Sequence, residues 1–134
     1  LYPVIDQVAD KVCATLADYS GSKSSRERDL VDLVVLATTH DFDAEDLRYS
    51  IQMEAHHRSV LLPRIFEVPS SWGSGYVKAA RSVPACSPFR TVGDALQLMT
   101  SFLDPVLDGS LPDGRWSHEQ QRWIQRPLGN AAAN

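Results

Sequence analysis

At 134 residues the chain has room for one compact domain, and its 43% hydrophobic and 22% charged content excludes compositional disorder. A net charge of -4 excludes a global basic field for nucleic acid, so phosphate binding has to come from a local cluster. Two cysteines, Cys13 and Cys86, without C-x-x-C spacing argue against a disulfide or zinc framework and point to a reducing compartment, the cytoplasm. No apolar run approaches the length of a membrane span, and no signal peptide is read at the start.

Leu1-Tyr2-Pro3-Val4 reads as a short edge strand or an extended lead-in, with Pro3 just ahead of a helix. Ile5, Val8, Ala9, Val12, Cys13 and Leu16 recur at helical spacing and predict a first helix over 5–19, with Lys11 off the apolar stripe. After a loop at 20–24, Leu30, Leu33, Val34 and Ala37 predict a second helix over 25–39, with Ser24 or Ser25 as N-cap. Asp29 falls beside that stripe and Asp32 further out, where an i, i+4 surface pair with Arg28 is the simplest outcome. Asp41-Phe42-Asp43 breaks the pattern, and Asp43 caps a third helix over 44–58. His56 and His57 are adjacent, which is not the spacing of a helical metal pair.

Residues 60–69 carry two prolines and read as an extended linker on the surface. A helix over 72–81 turns Trp72, Tyr76, Ala79 and Ala80 inward. Thr91 caps a last long helix through Leu103, with a stop or kink expected at Pro105. Residues 109–114 are turn-rich, 116–123 are expected to dock as a short amphipathic helix, and 129–134 carry no ordering signal. The expectation is a mainly α fold, a compact bundle of about five helices over 1–108, followed by a partly disordered docking tail over 109–134.

Two helices joined by a short loop pack antiparallel, so Lys11 can face Asp29 and Asp32. A lysine beside carboxylates suits nucleotide chemistry: the ammonium neutralises phosphate oxygens and a carboxylate accepts a proton. An inter-helix salt bridge is the plainer reading. Ser25 with its neighbour's amide, Arg26 and Arg28 form a second candidate, an anion site at a helix N-terminus, set against an ordinary solvated loop. A different class of function, a non-enzymatic helical interaction module, would use Trp72, Tyr76, Trp116 and Trp123 as exposed anchors.

Ala9-Asp10-Lys11-Val12-Cys13-Ala14, followed by Ser25-Arg26-Glu27-Arg28-Asp29-Leu30-Val31-Asp32-Leu33, resembles the two later motifs of the AbiEii/AbiGii-type nucleotidyltransferase toxins. The resemblance implies the helical C-terminal part of a DNA polymerase β-like nucleotidyltransferase, the toxin of a toxin–antitoxin pair that transfers nucleotides from NTP to an RNA, in several members a tRNA acceptor end. It implies that Lys11 contacts the nucleotide phosphates and that Asp29 or Asp32, with Asp29 preferred, is the late-motif acid that helps catalysis. The implied partners are NTP, RNA and a cognate antitoxin, and the full-length enzyme would use Mg2+. The family's earlier Gly-Ser element and metal-binding aspartate pair are not found, because Asp41-Phe42-Asp43 stands in the wrong place in the chain. The chain is therefore expected to be a C-terminal portion that holds no metal by itself and is inactive alone.

Overall fold

The computed structural model describes residues 3–17 and 26–125. Among them, five α-helices form: α1 (Val4–Ala17), α2 (Glu27–Thr39), α3 (Ala44–Arg58), α4 (Gly73–Ala80) and α5 (Val92–Asp108). The strands β1 (Phe42–Asp43), β2 (Gly114–Ser117) and β3 (Arg122–Gln125) make an antiparallel sheet in the order β1-β2-β3. The mainly α expectation holds, with a small sheet added.

Helix α2 is the central element. It packs against α1, α4, α5 and the 3-10 turn Pro84–Cys86. Its apolar stripe of Leu30, Leu33, Val34 and Ala37 is fully buried, and Val31 and Leu36 are buried beside it. A helix enclosed on several sides must be apolar over more than one stripe, as the run from Leu30 to Ala37 is. Helices α1 and α3 are tied at their surface by polar groups. Ser50 Oγ donates to Asp6 at 2.7 Å, and Arg58 pairs with Asp10 across the helices and with Glu54 at 2.8 Å on its own helix.

The starts of α3 and α5 follow capping chemistry. The Asp43 carboxylate accepts from Asp46 N at 3.0 Å, and the Thr91 hydroxyl from Asp94 N at 3.1 Å. Helix α2 differs: it begins at Glu27, and Arg26 occupies the N-cap position without a side-chain cap bond. Ser24 and Ser25, the expected caps, lie outside the described residues, as do Leu1 and Tyr2 of the expected edge strand and residues 126–134. Helix α1 already runs from Val4.

Pro105 does not stop α5, which continues to Asp108. A proline deprives only the carbonyl four residues back of its helical donor, here that of Ser101, an exposed residue. The helix ends instead at Gly109, in the left-handed region at φ 75°, with its N–H on Pro105 O. A Cβ at Gly109 would meet the Arg48 guanidinium. Gly109→Ala is expected to lower stability by about 1–2 kcal/mol, chiefly from the left-handed conformation, since Arg48 can swing aside; a urea midpoint equal to that of the parent would refute this.

Residues 116–123 are not a helix. They form the β2–β3 hairpin, with Trp116 opposite Trp123 and Gly114 opposite Gln125, and β1 pairs with β2 through Phe42 and Trp116. The connecting turn puts Gln121 at φ 53°, with Gln121 N on Ser117 O at 2.7 Å and Gln120 N on Ser117 Oγ at 3.1 Å. Trp116 is fully buried against Phe102, at a ring separation of 4.8 Å, so this part of the expected tail belongs to the core. The linker at 60–69 forms no strand. Its Phe66 is buried, and Phe66 N donates to the Asp104 carboxylate at 2.9 Å, a group whose pKa burial raises.

Cys13 and Cys86 are free and buried, and burial pushes the Cys13 thiol up to about 11. Among the described residues no helix is long and apolar enough to cross a membrane. Trp72, Tyr76 and Trp116 are core side chains, and Trp123 is half-buried with its indole N–H on Phe102 O at 3.0 Å. The anchors of an interaction module are thus used inside the fold.

Candidate functional site

Lys11 sits midway along α1 and Asp29 in the first turn of α2. Packing of α1 on α2 brings them together across 18 residues of sequence: Lys11 Nζ donates to Asp29 Oδ1 at 3.2 Å. One turn further along α2, Asp32 Oδ2 lies 3.0 Å from the same ammonium. Arg26 reaches back from the start of α2 to Asp29 Oδ2 at 3.0 Å. Four of the six residues singled out from the sequence therefore form one charge network.

The two aspartates are not equivalent. The Asp29 side chain is 8% exposed and both its oxygens are taken, one by Lys11 and one by Arg26. The Asp32 side chain is 49% exposed and uses a single oxygen on Lys11. Lys11, at 28% exposure, donates to two carboxylates, and an ammonium has a third donor. Burial alone would lower the Lys11 pKa, but the hydrogen bonds and charges of Asp32 and Asp29 outweigh it and hold it above its ordinary value. The lysine is thus a fixed cation, anchored by a buried acid and partly open to solvent.

Arg28 is exposed and takes part in no ion pair among the described residues, so the surface pair with Asp32 does not form. Ser25 lies outside the described residues. Of the anion-site residues, Arg26 is held by Asp29, a pairing its i, i+3 spacing already encoded.

A divalent cation needs several oxygen ligands around one point. Here the Asp29 and Asp32 carboxylates converge on the Lys11 ammonium, which fills that point. Asp41 is held by His118 at 2.6 Å, and Asp43 caps α3. Among the described residues no group of three or more His, Cys, Asp or Glu side chains could hold a metal ion. The described residues do not fit Mg2+.

Neither a curated protein nor a solved structure matches the chain. A family model described as "Nucleotidyl transferase AbiEii toxin, Type IV TA system" matches residues 1–118, which include both helices of the Lys11 network and all of β2, the first strand of the hairpin. That match takes in most of the chain, and the chain belongs to the AbiEii family of nucleotidyl transferase toxins of type IV toxin–antitoxin systems.

Proposed function

We propose that this chain carries the lysine–aspartate part of a nucleotidyltransferase site that moves a nucleotide from NTP to an RNA, with a tRNA end as the acceptor, in the cytoplasm. The observation that carries the reading is one ammonium fixed between two aspartates of unequal burial. In this reading the open face of Lys11 meets the triphosphate and offsets charge as the leaving pyrophosphate develops. Asp29 acts as a positioning residue, because it is nearly buried and each of its oxygens already faces a cation. Asp32 keeps one oxygen open and is the acid that faces the acceptor hydroxyl. This reverses the preference for Asp29 drawn from burial. Mg2+ would be held by carboxylates other than the described ones, which makes this chain one portion of the complete site.

The test is transfer of labelled nucleotide from NTP to tRNA by the whole toxin protein. Lys11→Ala is expected to lower the rate by about a hundredfold or more when assayed at a temperature where circular dichroism shows the variant still folded, since the substitution also unpairs the buried Asp29. Retained transfer would remove Lys11 from the reaction and leave the network a structural salt bridge.

A further inference from the structure

A cavity of about 280 Å3 lies between the C-terminal end of α4, the 3-10 turn Pro84–Cys86 and the approach to α5. Val77, Val83 and Pro84 give it an apolar wall, while Arg81, Ser87 and Arg90 line it with donors. These three polar residues are exposed. Among the described residues none of them takes part in an ion pair or a side-chain hydrogen bond. No acidic side chain lines the cavity. On a chain of net charge -4, two unpaired guanidinium groups at one cavity are a local reversal of charge.

The cavity and the Lys11 network are both built on elements that pack against α2. Buried Cys86 forms part of its lining, and the Asp32 charge reaches that thiol. Helix α2 packs against both α4 and the 3-10 turn that bound the cavity. Asp32 is paired with Lys11 and does not line the cavity.

Guanidinium forks bind phosphate through paired N–H donors and are weakly hydrated, so an unpaired couple of them favours a phosphate. At about 280 Å3 the cavity lies at the lower edge of small-molecule sites, so it holds at most one nucleotide unit and not a dinucleotide. An aliphatic wall of Val77, Val83 and Pro84 offers a flat apolar face to a base. We infer that this cavity binds a single nucleotide unit, its phosphate on Arg81 and Arg90 and its base against Val77, Val83 and Pro84. The unit is either a free mononucleotide or one residue of an RNA strand. The inference deepens the proposed function and rests on it for the link to transfer, but not for binding.

Calorimetric titration of the chain with AMP, a single-stranded tri-adenylate, adenosine and inorganic phosphate tests it. AMP or the oligonucleotide is expected to bind at least about tenfold more tightly than adenosine or phosphate, since both halves of the unit contribute. Tighter binding of the oligonucleotide identifies an RNA strand, and equal or tighter binding of AMP a free nucleotide. Arg81→Ala with Arg90→Ala is expected to weaken binding at least about tenfold at an unchanged thermal midpoint. Arg64→Ala with Arg122→Ala, which removes the same charge elsewhere, is expected to leave it unaltered. Equal loss in the two double variants, no loss in the first, or phosphate alone binding as tightly as AMP would overturn the assignment. Transfer retained by Lys11→Ala would remove the proposed function while leaving this binding result intact.

Discussion

Trp116→Ala is expected to lower the unfolding free energy by about 3–5 kcal/mol, the largest effect of any single truncation in this fold. The side chain is fully buried and its ring lies 4.8 Å from Phe102 and 5.6 Å from Trp123. It also performs a capping task. The last carbonyls of a helix have no partner within it. Near the end of α2, Leu36 O is met by His40 N, and Ala37 O accepts from the Trp116 indole N–H at 2.7 Å. Truncation therefore opens a cavity and leaves a buried acceptor without its donor. Trp116→Phe separates the two effects: the ring stack survives in part, and the unmet Ala37 carbonyl accounts for a loss of about 1–3 kcal/mol. Urea unfolding followed by circular dichroism checks both. A loss under about 1 kcal/mol for the alanine variant would mean that the hairpin folds apart from the bundle.

That hairpin is also where the sequence was least legible. Trp116 and Trp123 are seven apart, which suits a helix face, while in the fold they stand opposite each other across two strands. The turn between them carries no glycine or asparagine. It uses Gln121 in the left-handed region, so the usual hairpin signal is missing. The helices were legible because their cores and caps agree: Asp43 and Thr91 each stand three residues ahead of the amide they bond, and both lead into helical spacing. Of the stop or kink expected at Pro105 the stop does not occur, because a proline one turn from a helix end removes a single backbone bond. At the site, the approach of Lys11 to Asp29 followed from the expected pairing of α1 and α2. The unequal burial of Asp29 and Asp32 followed from their places relative to the apolar stripe, but the convergence of both carboxylates on one ammonium did not, since it depends on the packing of α1 on α2. Arg81 and Arg90 are nine apart in sequence and line one cavity across the Pro84–Cys86 turn, which no spacing rule reveals.

Asp29→Asn and Asp32→Asn are expected to separate positioning from chemistry. Asparagine keeps the shape at Asp29 but removes a buried charge that faces two cations, so stability is expected to fall by about 1–3 kcal/mol. Asp32→Asn touches a half-exposed group with one partner, and a change within about 0.5 kcal/mol is expected. In the transfer assay the order reverses. Asp32→Asn is expected to lower kcat by about a hundredfold or more with KM little changed, as loss of a proton acceptor does. Asp29→Asn is expected to raise KM for NTP as well, because Lys11 loses the acid that fixes it. Stability against pH gives a readout independent of activity. The Lys11 pKa is raised on folding, so its pairing contributes fully below the unfolded value of 10.5 and is lost as pH rises through the higher folded value. Unfolding of the parent chain is therefore expected to become easier above about pH 10, and this alkaline loss should shrink in Lys11→Met, which carries no titrating amine. An alkaline limb identical in parent and Lys11→Met would show that the two carboxylates do not hold the ammonium, and the case for a preset cation at this site would fall with it.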